Sequence, residues 1–267
     1  MNINLEKHYR ERNVLVTGAT SGNGEALAYR LLDLGAEVLC LGRNEERLQD
    51  LSCCGAHTCQ LDFADQGKVE EFCDSYFPFW EFDDIFHMAG NGFFGTLTPD
   101  WKSRFEQSDF RGPTQLLKGL LPRMKAGGTV AVISSAIAGL GDIPELRDYQ
   151  GMKRKMVDWC RTNTNLYASQ GLNLMLISMG FIGTDIWNRA SGLPRWAGNL
   201  VQKALPDPGE YTSQILEDAA NWESVSYPGW LAKAVKVDVP PAPFVKDILT
   251  GVGRIGIRTV RSFGGYK

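Results

Sequence analysis

Apolar positions along this chain follow two periods in turn. Short apolar runs of strand character cover residues 14–16, 37–41, 57–61, 84–88, 129–134 and 172–178. Between them, apolar residues recur at helical spacing over residues 24–34, 45–51, 64–76, 99–124 and 148–168. Punctuation supports these limits. Gly35 stops the first helix, Asn44 is placed to cap the second, and Thr98-Pro99 supplies a capping hydroxyl followed by proline at the first helical position. Gly112-Pro113 lies inside the stretch running towards Met124. Strands alternating with helices of this length pack as right-handed βαβ crossovers. The pattern therefore predicts a single α/β domain, a doubly wound parallel sheet with helices on both faces.

The rhythm breaks after Gly180. Trp187, Trp196, Trp222, Pro194, Pro206 and Pro208 fall in the following stretch, with Trp230 just beyond. We read a substrate-side insertion at about 184–226 and a C-terminal tail at about 231–267 that contains a stiff proline-rich connector at 237–244. In the tail, Arg254, Arg258 and Arg261 oppose Ile255, Ile257 and Val260. That face is expected to pack on the body or a partner subunit, with peripheral membrane contact as the alternative.

Composition narrows the classes. The chain has 267 residues and a net charge of −3, with no basic stripe, so no nucleic-acid partner is expected. No apolar run is long enough for a transmembrane segment, and the N-terminus lacks the apolar core of a signal peptide. Of the six cysteines, Cys53, Cys54 and Cys59 cluster, but a second ligand pair at zinc spacing is missing. They read as free thiols in a reducing compartment, and the protein as cytoplasmic. The three histidines, His8, His57 and His87, have no ligand spacing, so no metal is expected. His87 reads as packing or satisfying a local hydrogen bond.

Three stretches carry chemistry. The first is Thr17-Gly18-Ala19-Thr20-Ser21-Gly22-Asn23-Gly24, between the first strand and first helix. Gly18 permits a tight turn, while Gly22 and Gly24 let backbone approach a pyrophosphate at a helix N-terminus. The second is Tyr149 with Lys153, one helical turn apart and on one face. A phenol is a poor base at neutral pH, and an ammonium beside it favours the phenolate, so such a pair can pass a proton to or from an alcohol oxygen. The third is Ser134-Ser135, ending the fifth strand at the sheet edge where ligands bind in this architecture.

Together these stretches resemble the short-chain dehydrogenase/reductase family over roughly residues 13–185. The resemblance implies a Rossmann-like domain binding a nicotinamide dinucleotide through Gly18, Thr20, Ser21, Gly22, Asn23 and Gly24. It implies that Asp62 binds the adenine, that Ala89 and Gly90 pass beside the adenosine ribose, and that Ile182 and Thr184 contact the nicotinamide amide. Ser135, Tyr149 and Lys153 would form the catalytic set: Tyr149 as acid/base, Ser135 orienting substrate, and Lys153 also holding the ribose hydroxyls. It further implies a homodimer or homotetramer associating through the helices over 98–124 and 148–168.

Several residues depart from the family pattern. Arg43 follows the second strand, where NAD enzymes carry an acid, and a guanidinium there pairs with a 2′-phosphate. NADP(H) is the expected cofactor, and Arg47 either shares that task or is a surface residue. Ser135 lies one residue further from Tyr149 than is common, which leaves Ser134 as a rival. Asn23 stands where an aliphatic residue is usual and is expected to act through its backbone amide. Asp109 replaces an Asn that often completes the catalytic site. Because Pro113 lacks the N–H that would reach the Asp109 carbonyl, that carbonyl is expected to be free for a proton-relay water, the alternative being that Pro113 merely kinks the helix.

The tryptophans after residue 184, with Phe93 and Phe94, suggest a bulky, mainly apolar alcohol or ketone as substrate. The expected activity is that of an NADP-dependent alcohol dehydrogenase or ketone reductase. The alternatives are a non-catalytic NADP-sensing regulatory protein and a sugar-nucleotide epimerase-like enzyme.

Overall fold

A computed structural model describes residues 3–75, 80–93, 97–183 and 195–229. Phe94, Thr184, Trp187, Pro194, Trp230 and the whole 231–267 tail lie outside the described residues.

Seven parallel strands form one sheet in the order β3-β2-β1-β4-β5-β6-β7. They are β1 (Asn13–Thr17), β2 (Glu37–Gly42), β3 (His57–Gln60), β4 (Phe82–His87), β5 (Met124–Ser135), β6 (Asn173–Met179) and β7 (Val225–Ser226). The helices are α1 (Leu5–Tyr9), α2 (Gly22–Asp33), α3 (Glu45–Cys53), α4 (Gln66–Ser75), α5 (Pro99–Glu106), α6 (Gly112–Leu120), α7 (Arg147–Ser169), α8 (Arg195–Ala204) and α9 (Thr212–Ala220). The order reverses between β1 and β4, and ligands bind at such a switch point in doubly wound sheets.

Strand alternation sends side chains into two cores. Val14, Val16, Val38, Cys40 and Phe86 join the layer with Leu27 and Leu31 of α2 and Leu216 of α9. Leu15, Leu39, Ile85, Val130 and Val132 face the opposite layer with Leu116 of α6 and Met156 and Trp159 of α7. Burial on both faces explains why these strands read as continuous apolar runs.

Three features depart from the sequence pattern. The region read as an insertion supplies α9 and the seventh strand: Val225 and Ser226 pair with Leu176 and Ile177 of β6. The chain then turns at Gly229, φ +89°. α1 was not anticipated. It is capped by Asn4, whose side chain accepts from the Lys7 amide, and is tied to α9 by the Tyr9 hydroxyl donating to the Leu216 carbonyl at 3.0 Å. Finally, the single long helix expected before β5 is divided. Between α5 and α6 the backbone widens into a π turn over Gln107–Arg111, with the Gly112 amide donating to the Gln107 carbonyl. Gly112-Pro113 opens α6, so the wide turn sits immediately before the residue that cannot donate.

Candidate active site

A cleft of about 800 Å³ opens at the carboxyl ends of the strands. Its lining contains Gly18, Ser21, Gly22, Asn23, Arg43, Gly90, Ser135, Tyr149, Lys153 and Ile182 of the residues expected from sequence, as well as Ser134. Thr20, Gly24, Asp62, Ala89 and Asp109 are not among its lining residues.

The glycine loop is built by close approach. Gly18 has φ +67°, and a Cβ on it would lie 2.7 Å from the Ala89 Cα. A Cβ on Gly24 would lie 2.3 Å from the Gly18 carbonyl oxygen. Thr20 packs its methyl against Gly42, which is why it stands behind the wall; a Cβ at Gly42 would be 2.3 Å from that methyl. Ser21 is the N-cap of α2 but makes no side-chain cap hydrogen bond, so it does not shield the first-turn amides. The Asn23 side-chain oxygen is buried and has no hydrogen-bond partner among the described residues. The side chain of this unusual residue is thus an unsatisfied group in the loop, beyond the backbone role expected of it.

Arg43 extends from the end of β2 to the cleft mouth and is exposed. Its guanidinium donates to the Asn91 side-chain oxygen at 3.4 Å, and it has no ion pair among the described residues. Arg47, by contrast, lies within 3.8 Å of Glu25 and 3.7 Å of Asp50. Asp62 accepts from the Ala64 amide at 3.0 Å, shaping the turn after β3.

α7 presents Tyr149 and Lys153 to the cleft. The Lys153 ammonium is 5.5 Å from the centre of the Tyr149 ring, and only 6% of the residue is exposed. Gly90 makes room for it, since a Cβ there would lie 3.0 Å from the ammonium. The two serines differ in employment. Ser134 is buried and donates to the Lys153 carbonyl at 3.1 Å, anchoring α7 to β5. Ser135 is half-buried, accepts from the Ile137 amide at 3.3 Å and donates weakly to the Met179 carbonyl at 3.5 Å.

Sequence reasoning missed the residues that fix this geometry. Gln150, next to Tyr149, is buried and accepts from the Ile143 amide at 2.9 Å. Its amide nitrogen donates to the carbonyls of Ile137 and Gly141. Arg154, next to Lys153, donates to the carbonyls of Ala138 and Leu140 and pairs with Asp142. Both side chains pin the loop between Ser135 and Tyr149. The only signal in sequence was their adjacency to the motif.

Asp109 lies on the π turn and is 4% exposed. Its carboxylate accepts from the Asn91 amide, the Asn91 side-chain nitrogen and the Ser108 hydroxyl, at 2.6, 2.6 and 2.7 Å. It is thus occupied with the loop after β4.

His87 is buried, and its Nδ1 lies 2.8 Å from the Thr17 hydroxyl, which accepts from the Ala89 amide. Burial, reinforced by the Lys153 ammonium, pushes its pKa down to about 3. The ring is therefore neutral, and its Nδ1 pairs with that hydroxyl. This is the local hydrogen bond expected of it.

The apolar part of the lining comes from Phe93, Leu97, Trp101, Phe105, Ile137, Leu146 and their neighbours. Asp148 holds this wall in place, accepting from the Leu97 amide at 3.0 Å and the Lys102 ammonium at 3.1 Å. No helix among the described residues is long and apolar enough to cross a membrane.

The chain is similar to known proteins. Dehydrogenase/reductase SDR family member 7B of Bos taurus is 29% identical over 202 residues, covering 69% of this chain and 62% of that protein. The chain thus matches less than two thirds of the length of that relative. The 3-oxoacyl-[acyl-carrier-protein] reductase FabG of Salmonella typhimurium is 26% identical over 199 residues, covering 70% of this chain and 80% of that protein. Among solved structures, a short-chain dehydrogenase from Streptomyces avermitilis superposes with a TM-score of 0.73 at 21% identity, covering 92% of this chain and 97% of that one. Another, from Sphingobium yanoikuyae in complex with NADPH, gives 0.71 at 20% identity, covering 93% and 95%. Those structures establish the fold. The family model described as short chain dehydrogenase matches residues 12–192, well over half of the sequence, and the chain belongs to that family.

Proposed function

We propose that this chain is an NADP(H)-dependent oxidoreductase interconverting a secondary alcohol and a ketone on a bulky, mainly apolar small molecule. The observation that carries the reading is convergence: the glycine loop, Arg43, Ser135, Tyr149 and Lys153 line one cleft at the switch point of the sheet.

The residues present fit the cofactor. Gly18 and Gly24 let the loop pack tightly against Ala89 and on itself, the first turn of α2 lacks a side-chain cap, and Arg43 brings a charge with no ion pair among the described residues. Ser21, Gly22 and Asn23 would hold the pyrophosphate with α2, and Arg43 the 2′-phosphate. Asp62, Ala89 and Gly90 would serve the adenosine, while Lys153, Ile182 and Thr184 would serve the nicotinamide riboside. The solved relative from Sphingobium yanoikuyae carries NADPH, in keeping with this assignment. When bound, NADPH supplies hydride to the substrate's carbonyl carbon.

The chain's own groups handle the oxygen. The Tyr149 hydroxyl donates a proton to the carbonyl oxygen in reduction and takes it back in oxidation. The Lys153 ammonium stabilises the negative charge left on the phenolate. Ser135 donates a hydrogen bond that orients the carbonyl. The aromatic and aliphatic wall excludes water and favours apolar substrates. Asp109 acts through the loop it holds, and its backbone carbonyl, which Pro113 cannot reach, is assigned to a proton-relay water. Family-like association through the α5–α6 and α7 helices completes the proposal.

The test is a panel of apolar ketones and alcohols with NADPH and NADP⁺, beside Tyr149→Phe. Turnover of apolar ketones that Tyr149→Phe lowers by about 10²- to 10⁴-fold is expected. Equal activity of that variant would remove Tyr149 from the mechanism, and turnover of charged sugars alone would reject the substrate class.

A further inference from the structure

We propose that Asn91 and Asp109 form a positioning relay that aims Arg43 and so sets the preference for NADPH over NADH. The inference rests on the reading of Arg43 as the 2′-phosphate anchor.

Hydrogen-bond chemistry fixes the direction of this relay. Asp109 presents two carboxylate oxygens, which only accept. One takes the backbone N–H of Asn91 and the other takes its side chain, both at 2.6 Å. The end of the Asn91 carboxamide facing Asp109 must therefore be the NH₂ group. That nitrogen also lies 3.4 Å from the Ser108 hydroxyl, which itself donates to Asp109. The carboxamide oxygen is thereby turned the other way, and it meets the Arg43 guanidinium at 3.4 Å. A carboxylate at position 109 selects one of the two amide orientations. An asparagine there would present a donor to a site already supplied with three donors, and the orientation of Asn91 would no longer be enforced.

Arg43 needs such guidance. It is exposed, follows a strand end, and has no ion pair among the described residues. A long side chain with free rotamers loses entropy when it engages a phosphate, and one acceptor holding it in place beforehand lessens that loss. Asn91 touches the guanidinium while Asp109 acts only through Asn91, so both are positioning residues. NADH lacks the 2′-phosphate and does not use the aimed guanidinium.

The test measures binding of NADPH and of NADH separately, by nucleotide fluorescence, in wild type, Asn91→Leu, Asp109→Asn and Arg43→Ala. Folding of each is checked by circular dichroism. We expect Asn91→Leu to weaken NADPH by about three- to tenfold and leave NADH nearly unchanged. Asp109→Asn is expected to shift the same ratio in the same direction, and Arg43→Ala to shift it further. Should Asp109→Asn fail to fold, Asn91→Leu, on a half-buried loop, still decides. Equal weakening of both nucleotides, or no change in either, overturns the relay. A wild type that does not prefer NADPH overturns instead the reading of Arg43, and the relay with it.

Discussion

Replacing His87 with asparagine, a polar side chain that does not titrate, makes the protein more resistant to acid. His87 is fully buried and neutral, with a pKa pushed down to about 3 by burial and by Lys153. In the unfolded chain the same ring has a pKa of about 6.5. Below that value the unfolded state binds a proton that the folded state refuses, so stability falls as pH falls. Nearly all of this contribution is present at pH 7, and it drains away towards pH 3 with a slope of about 1.4 kcal/mol per pH unit. Between pH 7 and pH 5 the loss from this one group is about 2 kcal/mol. His87→Asn removes the titration while keeping a side chain that can hydrogen-bond the Thr17 hydroxyl. Urea unfolding of both proteins at the two pH values isolates the effect as a difference of differences, in which other titrating groups cancel. In thermal scans the same quantity is a relative shift of about 4–8 °C. If wild type and variant lose equal stability on acidification, His87 is not held neutral and the account of the Thr17–His87–Ala89 bonding is wrong.

Other changes separate scaffold from chemistry. Gly24→Ala sets a Cβ 2.3 Å from the Gly18 carbonyl oxygen, so it should cost about 1–3 kcal/mol in denaturation and weaken NADPH binding in a nucleotide titration. Ser135→Ala should lower kcat by about 10²-fold or more, well beyond what the loss of its long bonds to Ile137 and Met179 takes from stability, whereas Ser134→Ala should lower stability by about 1 kcal/mol and leave kcat largely intact. Gln150→Leu takes the side-chain partner from the Ile143 amide and the Gly141 carbonyl, leaves the Ile137 carbonyl with the Leu140 amide alone, and should cost about 2–3 kcal/mol while speeding hydrogen exchange between Ser135 and Tyr149.

The sheet was legible because its strands are buried on both faces and its helices on one, which writes two clear periods into the sequence. β7 was not, since two residues carry no period and its place is set by pairing with β6. The motifs located the cleft, but they left the two serines unresolved. Adjacent strand residues point to opposite faces, and only the position of α7 shows that Ser134 is used to hold Lys153. Asp109 stood out as a departure from pattern. Its work was invisible, because its partner Asn91 lies eighteen residues away along the chain and meets it only once α5 and the π turn are folded. Gln150 and Arg154 were overlooked for a similar reason: a polar residue on a helix shows its burial only when the loop it supports is seen.

Transfer of deuterium from NADPH labelled at the reactive nicotinamide carbon to an apolar ketone tests the central claim most directly. The account predicts that the label appears on the carbinol carbon of the product with wild-type protein. Under the same conditions Tyr149→Phe, with nucleotide binding retained, should slow its appearance by about 10²-fold or more. Label transfer at equal rates in both proteins, or product formed without label, would contradict it.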